Sequence, residues 1–296
     1  MTLRTESVNS DSRHIDKLST GEILNMINAE DAKVAPAVGA ALPQIALAVD
    51  AIVGTLQDGG RLFYVGAGTS GRLGILDAVE CVPTFSASPD LVQGIIAGGS
   101  RALTQSVEGA EDDPAGAERD LQARGLRASD VVCGIAASGR TPYVIGALQT
   151  ARKLGARTIA IACNPDSPIA ELAEIGISVD LGPEVISGST RMKAGSAQKM
   201  ILNMLSTATM IRLGKVYGNL MVDVKVTNQK LMGRALRLVQ SLGDVDEARA
   251  RQLLDLADLE VKTAIVMGRK AVSAEQARHQ LNRADGKLRD LIGDVD

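Results

Sequence analysis

The chain has 296 residues, of which 45% are hydrophobic, 23% are charged and only 2% are aromatic, and its formal net charge is -3. This length and apolar content suffice for one large domain with a small appendage. The slightly acidic charge and the scarcity of aromatic rings exclude a typical nucleic-acid-binding protein, because phosphate neutralisation needs a basic face and base stacking needs aromatic side chains.

The cysteines, the histidines and the lengths of the apolar runs argue against a redox-active thiol protein, a metalloprotein and a membrane protein. Cys81, Cys133 and Cys163 are widely spaced without a CxxC pair, which indicates buried, inert thiols. The two histidines, His14 and His279, form no pattern of metal ligands, so we expect no metal. The sequence shows no secretion signal and no apolar run near the roughly 20 residues that span a bilayer. We therefore expect a cytoplasmic protein with no membrane partner.

Two helices are predicted in the first part of the chain. Ser19 and Glu22 match the S-x-x-E capping box at a helix start. A second helix is expected to begin at Pro43, a residue suited to the first turn, and to end at the glycines that follow residue 58. We predict that residues 1–60 form a helical segment packed on the domain that follows.

From residue 61 onward, short apolar runs rich in Val and Ile alternate with helical patterns. Continuous apolar strands separated by helices are typical of a parallel sheet that is covered on both faces. The predicted strands are residues 62–65, 92–97, 131–136, 158–162 and 175–181. We predict an α/β fold in which residues 61–242 form a five-stranded, doubly wound parallel sheet, with ligands outside the carboxyl ends of its strands.

The last part of the chain changes texture again. A long Met-rich helix is expected to begin near Arg191, with its methionines filling a core or a subunit interface. Ser273 and Gln276 resemble another helix-capping box. We predict that residues 243–296 form a small bundle of three short helices.

Three Gly/Ser/Thr-rich loops carry the main functional pattern. They occupy residues 66–72, 137–141 and 187–191, each after an apolar strand-like run and each before a helical pattern. Backbone N–H groups and hydroxyls at several helix N-termini form a phosphate site, so the pattern predicts a phosphorylated small molecule. The candidate substrate-binding residues are Thr69, Ser70, Gly71, Arg72, Ser138, Arg140, Thr141, Ser187, Ser189 and Thr190.

The first loop partly matches the dinucleotide-binding fingerprint G-x-G-x-x-G. Gly66 and Gly68 fit, but the third glycine is out of step. A dinucleotide site would also need an acidic residue after the second strand, where the chain instead continues through two glycines to Ser100 and Arg101. The pattern therefore favours a phosphomonoester over a dinucleotide.

Acidic residues follow the first two strands. Glu80 lies on the helix after the first loop, and Glu111 lies in an acidic cluster after the second strand. An unbroken helix from Gly71 would place Glu80 about 14 Å from the helix start, at 1.5 Å per residue. Either a bend at Gly74 or Pro83 shortens this path, or Glu80 serves a site that a second subunit completes.

Four motifs closely resemble those of the N-acetylmuramic acid 6-phosphate etherases, within the sugar-isomerase (SIS) superfamily. They are YVGAGTSGRLGILDAVECVPTF at residues 64–85, GIAASGRTPY at 134–143, GSTRMKAG at 188–195 and NLMVD at 219–223. The similarity extends from about residue 5 to near the C-terminus.

This resemblance implies a cofactor-independent lyase that acts on a sugar phosphate. Such an enzyme splits the D-lactyl ether of N-acetylmuramic acid 6-phosphate and releases N-acetylglucosamine 6-phosphate and D-lactate. By position, Glu80 matches the family's proton donor to the departing lactate, and Glu111 matches its second essential carboxylate. The resemblance also implies a homodimer with its site at the subunit interface, and a ubiquitin-associated-like C-terminal module that aids the dimer.

Other functions remain open on this sheet. A sugar-phosphate isomerase would also remove a C2 proton but would not expel lactate. A non-catalytic sugar-phosphate sensor is a second alternative, although no basic helix-turn-helix accompanies the sheet. A kinase regulatory protein of the same superfamily is a third, and the presence of both Glu80 and Glu111 favours the enzyme.

Overall fold

The computed structural model describes residues 4–294, so the ends of the predicted segments at residues 1–3 and 295–296 lie outside the described residues. The chain forms two compact units. The first contains the residues up to Ala78 together with Asp90–Ser206, and the second contains Val79–Pro89 together with the residues from Thr207 onward. The predicted domain boundaries, at residues 60 and 242, stay a prediction.

Two short 3-10 helices, Arg4–Glu6 and Ile15–Lys17, precede the sheet in the first unit. They are followed by three α-helices: α1 (Thr20–Asp31), α2 (Val34–Ala40) and α3 (Leu42–Gln57). The predicted capping box is present, because the Ser19 side chain accepts from the Glu22 backbone N–H and the Glu22 carboxylate accepts from the Ser19 N–H. Helix α3 has its proline in the first turn, as the sequence indicated.

The sheet region alternates strands and helices. In chain order its elements are β1 (Leu62–Gly66), α4 (Gly68–Phe85), β2 (Val92–Ile96), α5 (Pro114–Ala123), β3 (Val131–Ala136), α6 (Pro142–Leu154), β4 (Arg157–Ala162), α7 (Pro168–Leu172), β5 (Ile175–Ser178) and α8 (Lys193–Arg212). Two short 3-10 helices, Gly99–Leu103 and Ala110–Asp112, lie between β2 and α5.

The five strands are all parallel and are ordered β2-β1-β3-β4-β5, which confirms the predicted sheet. Strands β1 and β3 are buried along their whole length, because helices cover both faces. On one face, Phe63, Val65 and Val132 pack with Tyr143 and Leu148 of α6. This packing holds the carboxyl ends of β1 and β3 side by side.

The second unit contains the remaining helices: α9 (Gln229–Gly243), α10 (Glu247–Leu256), α11 (Val261–Lys270), α12 (Ala274–Arg283) and α13 (Arg289–Ile292). Their core includes Leu236, Val239, Leu253 and Ile265. The capping box predicted at the start of α12 is present at Ser273.

Within residues 4–294, no single helix is long and apolar enough to cross a membrane. One pair, Thr20–Ala40 with Leu42–Gln57, meets the length and composition requirement only when taken together, and it is bent by 60°. Most of the apolar residues of α3 are buried in the protein.

Candidate active site

A cavity of about 420 Å³ opens at the carboxyl ends of β1 and β3 in the first unit. These strands are neighbours in the sheet, but the chain leaves them toward opposite edges, since β2 follows β1 on one side and β4 follows β3 on the other. Such a switch point is where open parallel sheets bind ligands. We call this space the loop cavity, because residues of all three predicted loops line it.

The first loop connects β1 to α4 through a tight turn. Gly68 adopts a positive φ of 52°, and a Cβ added to Gly66 would lie 2.7 Å from the backbone nitrogen of Gly71. Gly68, Thr69 and Ser70 line the loop cavity. The Ser70 hydroxyl donates to Oε1 of the fully buried Gln198, at 2.9 Å. This bond holds the serine at the cavity wall.

The second loop connects β3 to α6. The Ser138 hydroxyl accepts from the Arg140 backbone N–H at 3.2 Å, and Ser138, Arg140 and Thr141 all line the cavity. Thr141 is the N-cap residue of α6, and its side chain makes no capping hydrogen bond. Because a helix N-terminus favours negative charge, the first turn of α6 and the Arg140 guanidinium together suit a phosphate.

The third loop differs from the other two, because a carboxylate of the protein occupies the N-terminus of the helix that follows. Glu184 is only 1% exposed and accepts from the backbone N–H groups of Lys193 and Ala194, both at 3.0 Å. These are the first donors of α8. Glu184 therefore satisfies these two donors of α8 within the protein. Of this loop, Thr190 lines the cavity.

A second buried interaction supports the third loop. The ammonium group of Lys193, a residue only 1% exposed, pairs with the Glu30 carboxylate and donates to the Leu181 carbonyl at 3.0 Å. Burial alone would raise the pKa of Glu30, but the ammonium groups of Lys193 and Lys33 hold it below its ordinary value. The chain is thus anchored on both sides of residues 187–191.

Glu111 is the predicted catalytic carboxylate that lines the loop cavity. It lies on the 3-10 helix Ala110–Asp112, which follows Gly109 with its φ of 73°. The side chain is exposed and is therefore accessible to a molecule in the loop cavity. The other predicted carboxylate, Glu80, is also exposed and lies in the part of α4 that belongs to the second unit.

Three buried titratable residues of the first unit, Asp77, Cys133 and Cys163, do not line the loop cavity. Burial raises the pKa of Asp77, although Ser206, Lys199 and Tyr64 oppose this rise. Burial also raises the pKa of the Cys163 thiol to about 12 and raises that of Cys133. Both thiols therefore stay protonated near neutral pH, as expected for inert core cysteines. In the described part of the chain, no group of three or more His, Cys, Asp or Glu side chains could hold a metal ion.

Comparison with curated proteins identifies the family. The chain is 57% identical over 290 residues to an N-acetylmuramic acid 6-phosphate etherase of Edwardsiella ictaluri (strain 93-146), covering 98% of this chain and 97% of the relative. It is 58% identical over 287 residues to the etherase of Yersinia pestis (strain Pestoides F), covering 97% of both chains. The chain belongs to the N-acetylmuramic acid 6-phosphate etherase family. The resemblance found in the sequence motifs is confirmed.

Domain families and solved structures agree with the etherase assignment at the level of fold. The SIS domain matches residues 111–208, the glucokinase regulatory protein N-terminal SIS domain matches 44–152, and the C-terminal lid domain of that protein matches 218–258. Phosphoheptose isomerases from Francisella tularensis and Neisseria gonorrhoeae superpose with TM-scores of 0.50 and 0.51 at 20% and 17% identity. Each covers 64% of this chain and 98% of its own.

The etherase chain gathers most of the predicted site residues at one cavity and leaves others outside it. The predicted residues that line the loop cavity are Thr69, Ser70, Glu111, Ser138, Arg140, Thr141 and Thr190. Gly71, Ser187 and Ser189 are not among the cavity-lining residues in the described part of the chain. Gly71 packs its backbone against Gly66 and Ile96 instead. Arg72 lines a smaller neighbouring recess.

Two acidic residues that line the loop cavity were not predicted. Asp112 lies beside Glu111, and Glu6 comes from the N-terminal segment, where the sequence lacks any helical or strand periodicity. The buried Asn164 anchors this segment, since its side-chain amide donates to the Thr5 hydroxyl at 2.9 Å and to the Ala137 carbonyl at 3.0 Å. The one pattern that could have revealed Glu6 is the family similarity, which begins at about residue 5.

Proposed function

We propose that this chain cleaves the D-lactyl ether of N-acetylmuramic acid 6-phosphate with water, giving N-acetylglucosamine 6-phosphate and D-lactate. The observation that carries the proposal is the loop cavity, where Glu111 shares one space with the hydroxyls and helix N-terminus at residues 138–141. A phosphate bound at these loops would place the carbon chain of the sugar in the cavity that the Glu111 carboxylate lines. The etherase names of the relatives supply the substrate.

The chemistry proceeds by elimination followed by hydration. In the open-chain sugar, the ether oxygen on C3 lies β to the aldehyde carbon. A base removes the C2 proton, the C3–oxygen bond breaks, and lactate leaves with a proton from an acid. Water then adds to C3 of the unsaturated aldehyde and returns a proton to C2. Atoms balance, because one water is consumed for each ether cleaved.

Two carboxylates suffice for these proton transfers. Glu80 donates the proton to the departing lactate oxygen, and Glu111 acts as the base at C2 or activates the attacking water. The substrate-binding residues are those predicted residues that line the loop cavity, together with Gly71, Arg72, Ser187 and Ser189. The last four would contact the substrate once the sugar binds or a second subunit completes the site. The enzyme works in the cytoplasm as a homodimer with its site at the subunit interface, and the module at residues 243–296 aids the dimer.

The decisive experiment measures D-lactate release from N-acetylmuramic acid 6-phosphate in ¹⁸O-labelled water. We expect lactate from the wild type and ¹⁸O at C3 of the sugar product. Glu80→Gln and Glu111→Gln should each lower kcat by roughly 10²- to 10⁴-fold. Glu118→Gln is the matched control, because Glu118 is an exposed residue of α5 bonded to Gln122. In a parallel reaction in deuterated water, deuterium exchange at C2 without lactate release would refute the etherase proposal in favour of an isomerase.

The interface site is tested by mixing the two inactive variants. If Glu80 and Glu111 of one site come from different subunits, a heterodimer of Glu80→Gln and Glu111→Gln has one fully wild-type site. Co-expression should then restore up to roughly a quarter of the wild-type activity, as a random mixture contains half heterodimers with one good site each. If both carboxylates act within one chain, every site carries a defect and mixing restores nothing.

A further inference from the structure

A smaller recess of about 160 Å³ adjoins the loop cavity in the first unit. We call it the side recess. Ala67, Gly68 and Glu111 line both spaces, so Glu111 lies where they meet. The side recess extends toward Ala97, which directly follows β2, whereas the loop cavity extends toward the loop after β3. Because β1 lies between β2 and β3, the two spaces lie on opposite sides of the carboxyl end of β1, and Glu111 borders both.

One part of the side-recess wall is small and apolar, and it lies beside polar and charged lining residues. Ala97 and Ala102 are 4% and 5% exposed and contribute one methyl group each. Val107 lines the recess as well and packs so closely on the chain that a Cβ added to Gly98 would lie 2.9 Å from its own Cβ. A recess of about 160 Å³ takes a short substituent, and these methyl groups provide an apolar contact for its end.

The polar groups of the recess disfavour an anion. The Arg72 guanidinium donates to the backbone carbonyls of Leu103 and Gln105, at 3.1 and 3.3 Å, and thereby holds the recess wall. The carboxylates of Glu108 and Glu111 lie at the same recess, and Glu108 accepts from the Ser106 hydroxyl at 3.0 Å. The two carboxylates outnumber the single guanidinium among the lining residues, so the net charge of the recess is negative and favours a neutral occupant over an anion.

We propose that the side recess binds the acetyl group of the 2-acetamido substituent and thereby selects N-acetylated sugar phosphates. The inference rests on the proposed function, with the phosphate at residues 138–141, and takes Glu111 as the base at C2. Because C2 and the phosphate are at opposite ends of the sugar, a C2 substituent extends past Glu111, away from the phosphate loops. The acetamido group is neutral and ends in a methyl, whereas the lactyl group carries a carboxylate.

The test compares the binding of N-acetylglucosamine 6-phosphate and glucose 6-phosphate, which lacks the acetamido group. Ala102→Val narrows the recess, and we expect it to weaken binding of the acetylated ligand roughly tenfold while leaving glucose 6-phosphate within about twofold. Val107→Ala widens the recess and should improve the N-propanoyl analogue relative to the N-acetyl ligand by a similar factor. Ala123→Val, at an exposed position of α5, is the matched control and should change neither value.

Each outcome decides the proposal. An equal loss of both ligands in Ala102→Val, together with an unchanged N-propanoyl preference in Val107→Ala, overturns it. Weaker binding of the lactyl substrate with intact binding of N-acetylglucosamine 6-phosphate assigns the recess to lactate and also overturns it. The binding measurements stand apart from catalysis. Absent lactate release in the wild type would refute the proposed function, and the binding comparison would still decide the recess. If Ala102→Val fails to fold, Val107→Ala alone gives the answer.

Discussion

Replacing Glu184 should destabilise the first unit, because this buried carboxylate caps the N-terminus of α8. It accepts from the Lys193 and Ala194 N–H groups, both at 3.0 Å. A hydrogen bond to a charged group contributes about 1.5–3 kcal/mol, so losing two costs about 3–6 kcal/mol. Removing a desolvated carboxylate offsets part of this loss. We expect Glu184→Ala to lower the free energy of unfolding by about 3 kcal/mol, near the low end of the range.

Glu184→Gln separates the charge from the shape of the side chain. A glutamine keeps one acceptor oxygen but turns an NH₂ group toward the other N–H, so we expect about half of the loss. Urea unfolding can be followed by far-UV circular dichroism and tyrosine fluorescence, since two of the three tyrosines, Tyr64 and Tyr143, are buried in the first unit. Hydrogen exchange at the amides of Lys193 and Ala194 gives a local measurement and should become faster.

The control for both variants is Glu118→Gln, a change of the same type at an exposed helix position, which should shift stability by no more than about 0.5 kcal/mol. The reasoning is refuted if Glu184→Ala costs less than about 1 kcal/mol while amide exchange at the start of α8 is unchanged. In that case, water or another group would satisfy these donors as well as the carboxylate does.

Two further predictions concern the second loop and the pH dependence of stability. Gly139→Ala should weaken N-acetylglucosamine 6-phosphate binding at least tenfold by calorimetry, because Gly139 has a φ of 69° and an added Cβ would lie 2.3 Å from the Ser167 Cβ. Gly182→Ala, with a φ of 63° and open space around it, controls for backbone strain alone, and equal effects would contradict the steric argument. Burial alone would raise the pKa of Asp130, but hydrogen bonds from Arg61 and Arg127 hold it below its ordinary value. The stabilisation from the ionised Asp130 is therefore present above the unfolded-state pKa of about 3.9 and is lost as the pH falls through the lower folded-state pKa. We expect the difference in unfolding free energy between the wild type and Asp130→Asn to shrink below about pH 4, as measured by urea titrations. A difference that is independent of pH would count against this argument.

The elements that were predicted from the sequence rest on short-range patterns. The capping box at Ser19 joins residues only three apart, and the apolar runs of the five strands are visible without any partner. The position of the three loops was also predictable, because parallel strands place their carboxyl ends at one edge of the sheet. Glu111 and most of the predicted loop residues accordingly line one cavity. Residues 219–223 and the other motifs indicated the family, which the relatives confirm.

Local sequence therefore determined the strands, the helix starts and the edge of the sheet where the loop cavity lies. Only the tertiary structure decided which groups occupy that edge. Glu184 closes α8 from nine residues upstream, Asn164 ties the N-terminal segment to the sheet and brings Glu6 to the cavity, and the side recess needs β1 beside β2. Such contacts depend on how distant segments pack. Polar groups that become buried in this packing need hydrogen-bond partners, and those partners lie in other segments. No periodicity within one segment can encode a partner that lies in another.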